Sequence, residues 1–211
     1  VTSGAVLSPA PAGSTPPAET APAETTPAPE EPSSIDPTPE VEAMLPIMDS
    51  LLLCMSENSL TYDPASPAFV YDALYYAVVL YGNMHPLGTL DGGAFRLPLP
   101  GGQEFATALF AAYTDLDLAY LAEHPELGVS YDESTEELVF SMSDHSSTES
   151  RMEACHELSD GSGLYEVTVG LYSTDDGSLF ARARFVLGEN SYLSGITDPM
   201  FPYAVVSAEM L

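Results

Sequence analysis

At Gly128 the apolar residues of this chain change their period. Before it they recur every three or four residues; after it they alternate with polar ones. The first spacing lines one side of a helix and the second one side of a strand. Helices first and short-looped strands afterwards define an α+β fold. About three helices are expected, followed by an antiparallel β-meander, with the helices packed on one face of the sheet.

The helical part divides at its own punctuation. Val41, Met44, Leu45, Met48, Leu51, Leu52 and Met55 form one apolar face over residues 39–55, where Thr38 can cap and Pro39 suits the first helical position. Pro46 falls inside this pattern and predicts a kink or a split, since it lacks a donor and clashes one turn back. Ser66-Pro67 starts a second helix and Gly82 stops it. It is apolar on nearly every side, the pattern of a central, covered helix. Residues 94–99 read as a short edge strand because Pro98 and Pro100 deny it ladder bonds. Gly101-Gly102 then opens a third helix, from Gln103 to about Leu121, closed by His124-Pro125.

Strands are expected at 129–132, 137–142, 148–157, 164–173, 178–187 and 202–210, with short turns between them that make neighbours antiparallel. Asp175-Asp176-Gly177 suits a three-residue hairpin loop with Gly177 left-handed. That loop sets Val169 opposite Ala183 on the helix side. On the other face it sets Thr168 opposite Arg184, Gly170 opposite Arg182 and Tyr172 opposite Phe180.

Residues 1–40 are of another kind. They are nearly confined to Pro, Ala, Thr, Ser and Glu, and Pro-Ala-Glu-Thr recurs at 17–20 and 22–25. Such a stretch buries too little apolar surface to offset ordering entropy of roughly 1–2 kcal/mol per residue. Residues 1–38 are therefore expected to be a disordered acidic spacer and residues 39–211 a single α+β domain. The charge is equally one-sided. The chain has no lysine, and Arg96, Arg151, Arg182 and Arg184 face 32 acids, for a formal charge of −28. A surface so acidic repels phosphate backbones and anionic headgroups, which argues against nucleic-acid partners. No run of eighteen apolar residues predicts a membrane span.

A Pro/Ala/Thr/Glu spacer ahead of one folded domain resembles the layout of bacterial secreted and surface lipoproteins. The likeness covers residues 1–40 and implies an extracellular or cell-surface protein with a lipid anchor upstream of Val1. The element order over residues 40–211 resembles the NTF2-like and cystatin-like α+β folds, in which a curved sheet wraps a long helix. Acid excess without lysine also occurs in high-salt cytoplasms, where large apolar side chains are usually trimmed; here they are plentiful.

No catalytic motif is present: no G-x-S-x-G, no phosphate-binding glycine loop and no H-E-x-x-H. His85, His124, His145 and His156 are scattered without zinc-ligand spacing and read as surface residues, so no metal or cofactor is expected. Cys54 and Cys155 read as buried free thiols, with a disulfide as the alternative. The ligand-binding candidates are Arg182, Arg184 and Tyr172. In a chain poor in cations, two guanidinium groups on one strand face beside a tyrosine are suited to a carboxylate ligand; the competing reading pairs them with acids such as Glu166. The chain thus reads as a non-catalytic binding module for a protein or small molecule not named by the sequence. The alternative is a ligand or catalytic pocket between helix 66–82 and a curved sheet.

Overall fold

The computed structural model describes residues 34–111, 115–143, 147–190 and 200–211. The chain divides into two units, residues 1–31 and 32–211, and everything described belongs to the second. Most of the expected spacer, residues 1–33, lies outside the described residues. Its last residues belong to the fold: the Ile35 N–H donates to the Cys155 carbonyl at 2.8 Å, and the Ser34 hydroxyl accepts from the Cys155 N–H at 3.2 Å.

The helical layer begins with α1 (Pro39–Glu42), capped by Thr38, whose hydroxyl accepts from the Val41 N–H at 3.3 Å. The expected split occurs: α2 (Leu45–Asn58) restarts immediately and takes Pro46 into its first turn, where no donor is needed. Helix α3 (Pro67–Tyr81) starts at the Ser66 cap and ends at Gly82, as its punctuation predicts. It is not the most enclosed helix, however. Nine consecutive residues of α2, Ile47 to Met55, are buried. The reason is position: α2 lies between α3 on one side and all four strands of the second sheet on the other. Helix α3 packs on α2, α4 and one strand of the first sheet, and Tyr75, Val79, Leu80 and Tyr81 stay half-buried.

Helix α4 (Leu99–Leu109) departs from expectation at both ends. It starts four residues before Gln103, so the two glycines lie inside it. A Cβ on Gly102 would sit 2.3 Å from the Leu138 side chain, and one on Gly101 2.8 Å from Leu97. Their role is close approach of the helix to the sheet, not to mark its start. Helix α4 ends at Leu109, and a separate α5 (Leu118–Glu123) follows, capped by Asp117.

The strands form two antiparallel four-stranded sheets. The first holds β1 (Thr89–Asp91), β2 (Ala94–Pro98), β3 (Val129–Asp132) and β4 (Glu137–Ser141) in the order β1-β2-β4-β3. Strand β2 is interior, not an edge. Pro98 is its last residue, and Pro100 falls in the first turn of α4, so neither removes a bond from the ladder. The second sheet is a meander of β5 (Thr148–Glu157), β6 (Tyr165–Ser173), β7 (Leu179–Glu189) and β8 (Tyr203–Met210). Helices and the inner faces of both sheets share one apolar core. The β6–β7 register agrees with expectation from Val167–Phe185 to Leu171–Ala181, with Gly177 at φ +71°. It then slips: Tyr172 opposes Leu179, and Phe180 is the extra residue of a bulge. Cys54 and Cys155 are both buried and free. Burial, with the nearby Asp72 carboxylate, pushes the Cys54 thiol up to about 12.

Candidate functional site

The outer face of the second sheet holds the three residues singled out by alternation. Opposite the buried Val169–Ala183 row stand Arg182 and Arg184, with side chains 41 % and 44 % exposed. Each is already occupied. Between Met152 and Ala154 the β5–β6 register shifts, and Glu153 is the bulged residue. Its carboxylate meets Arg182 Nε at 2.5 Å and Nη2 at 3.0 Å, and accepts a hydrogen bond from the Tyr172 hydroxyl. Gly170 makes room for this, because a Cβ there would lie 2.3 Å from Glu153 Oε1. Partial burial raises the Glu153 carboxyl, but Arg182 and Tyr172 outweigh it and hold it below the ordinary glutamate range. The same bond pushes Tyr172 up. Arg151 lies 4.7 Å above the Tyr172 ring and pairs with Glu149. Arg184 stands 3.8 Å from Glu166 and 4.0 Å from Glu209. Arg96, in the first sheet, bonds Asp132 and Glu137. The arginines of this chain face its own acids.

Two buried polar ties were missed by sequence reasoning. His85 is 5 % exposed, not a surface residue. The Leu87 N–H donates to His85 Nδ1 at 3.2 Å, which puts the ring proton on Nε2. Nε2 then donates to Glu104 Oε2 at 3.2 Å, while Glu104 Oε1 accepts the Met200 N–H at 2.9 Å. Histidine beside carboxylate is a familiar catalytic pairing, but both ring nitrogens are engaged here, so neither is placed to take a proton from a substrate. The group joins three segments: the turn after α3, α4 and the approach to β8. Asp49 does the same between α2, α3 and β5, accepting from the Tyr81 hydroxyl at 2.6 Å and from the Ser150 hydroxyl. Burial and Asp49 together raise the Tyr81 phenol. No local signal marks either tie; both depend on which elements pack together.

Among the described residues no cluster of His, Cys, Asp and Glu is arranged to hold a metal. Three cavities among the described residues are half-open to solvent. One of about 420 Å³ lies between α5 and β3, beside Leu118, Leu121 and Tyr131. One of about 130 Å³ lies at the start of α3, beside Pro67, Val70 and Tyr71. A third, of about 330 Å³, runs between Met55, Thr61 and Tyr62 on one side and the end of β8 on the other. This groove borders a sheet edge. The Val205 carbonyl on that edge accepts the Ala111 N–H at 3.1 Å and the Tyr62 hydroxyl at 2.9 Å. Burial lifts the Tyr62 phenol above its ordinary range. Beyond Val205 the edge runs on through Ala208 and Met210. At the same end of the sheet Leu179, Phe180 and Leu211 are exposed, Phe180 at 64 %.

Comparison with known protein families, with curated proteins and with solved structures finds no match to this chain.

Proposed function

We propose that this chain is a non-catalytic interaction domain, carried outside the cell or on its surface by the Pro/Ala/Thr/Glu-rich stretch that precedes Ser34. The observation that supports this most is how its side chains divide. The buried histidine and carboxylates tie elements together, and the arginines are matched to acids. Large apolar side chains stay exposed at one end of the second sheet, beside a groove and a strand edge. Exposed apolar groups next to open backbone suit a macromolecular partner; an enzyme site needs a concave pocket with converging polar groups. The charge of −28 supports a partner that is neither nucleic acid nor anionic lipid.

Thermal unfolding of the full chain against two ligand sets tests the reading. Extended polypeptides should raise the midpoint, because a ligand that binds only the folded state stabilises it by mass action. Stabilisation by a small metabolite instead, or turnover of ester, glycoside or phosphate substrates abolished by a point substitution, would overturn it.

A further inference from the structure

Resting on the interaction-domain reading, we infer that the free edge of β8 binds an extended, basic segment of a partner as a fifth strand of the second sheet. The backbone directions come from one hydrogen bond. The Leu211 N–H donates inward to the Arg182 carbonyl at 2.9 Å. Alternation along β8 then turns the amides of Glu209 and Ser207 inward, toward Arg184 and Val186. Ala208 and Met210 direct their N–H and C=O groups away from the sheet.

Some edge positions of the second sheet are covered by other parts of the chain. On β5, Ser34 and Ile35 bond Cys155. On β8, Ala111 and Tyr62 cover Val205, and among the described residues this cover stops before Ala208. The side chains of the uncovered stretch complete the geometry. Ala208 opposes Phe185 and Met210 opposes Ala183, both fully buried, so Ala208 and Met210 lie on the helix side. There they form one wall of the groove with Met55, Thr61 and Tyr62. A strand added at this edge places alternate side chains in that groove and the others on the outer face, where Glu209 stands 73 % exposed.

Charge selects the occupant. A second copy of the chain brings another −28. Residues 1–33 of the same chain carry Glu19, Glu24, Glu30 and Glu31 and no base, so they offer no complementary charge. A segment alternating apolar with Lys or Arg meets both the groove and the exposed Glu209 carboxylate at the edge, in the field of a chain of charge −28.

The test uses the full chain and a blocked, fluorescent octapeptide of alternating Val and Lys, titrated by anisotropy at low salt. Its Val–Glu counterpart serves as control. Ala208→Pro removes an outward N–H and leaves the β7–β8 ladder its donors. Thr61→Trp fills the groove without altering the strand, and guards against a proline variant that fails to fold. We expect the Val–Lys peptide alone to bind, with a loss of about tenfold or more in each folded variant, since one unmade strand bond strands its partner group. Hydrogen exchange at Ala208 and Met210 should slow on binding. Equal affinity in parent and variants would overturn the edge and leave the interaction reading standing on diffuse charge attraction. No binding of the Val–Lys peptide to the parent would overturn the basic partner. A sedimenting dimer abolished by Ala208→Pro would make a second copy the occupant and overturn it too.

Discussion

Replacing Glu104 by Gln should destabilise the fold although it changes neither size nor shape. Both carboxylate oxygens accept, one from His85 Nε2–H and the other from the Met200 N–H. An amide has only one acceptor, so either way round one of its hydrogens faces a donor. His85 cannot relieve the conflict by moving its proton, because Nδ1 already accepts from the Leu87 N–H. One buried donor is left unsatisfied, at a cost of roughly 1–3 kcal/mol. For a folded unit of this size that lowers the thermal midpoint by roughly 2–12 °C. Urea unfolding with the slope held in common measures it directly. Glu104→Met, which removes both acceptors, should cost more than Glu104→Gln. A Gln variant within about 0.5 kcal/mol of the parent, the scatter of surface changes, would refute the reasoning.

Leu52→Ala should cost roughly 2–5 kcal/mol in the same assay, since Leu52 is fully buried on the central helix and leaves a cavity; a loss under about 1 kcal/mol would contradict the place assigned to α2. The Glu153 carboxyl is held low in the folded chain, so its contribution is present above the ordinary glutamate value of 4.5 and is lost as pH falls through the lower folded value. Glu153→Gln should therefore reduce stability at neutral pH and flatten the acid limb below 4.5, and parallel acid limbs would count against the Arg182 pairing. Neither Cys54 nor Cys155 should react with a thiol reagent at pH 8 until urea is added, because both are buried and burial raises both thiols; rapid native labelling of either would refute that burial.

What sequence could reveal follows the range of each signal. Helix α3 was legible because Ser66, Pro67 and Gly82 act on the backbone next to them. The β6–β7 register was legible as far as Leu171 because Gly177 and strict alternation determine it locally. Phe180 broke it through a bulge with no residue signature. Gly101 and Gly102 misled for the opposite reason. Read locally they precede a helix that starts at Gln103, yet they lie inside α4, and Leu138 and Leu97, from other elements, are what require them. The face carrying Arg182, Arg184 and Tyr172 follows from period-two alternation, but their partner Glu153 sits at a bulge that shifts the phase. The open edge at Ala208 and Met210 depends on sheet order, which composition does not encode. The burial of His85 likewise depends on where α4 lies.

The attachment of Ser34 and Ile35 to Cys155 has a mechanical consequence. A pull on the chain from its N-terminal side does not reach α1 first. It loads the Ile35–Cys155 bond and the Ser34 hydroxyl contacts, at the rim of the second sheet. These peel one after another, without the shared loading of a strand pulled lengthwise. Once they part, the residues up to the Thr38 cap are freed, a stretch of about 10 Å when extended at about 3.3 Å per residue. Only then does force arrive at the buried helices. The junction should therefore part at lower load than the core behind it, seen as a small early step in force–extension traces of the full chain.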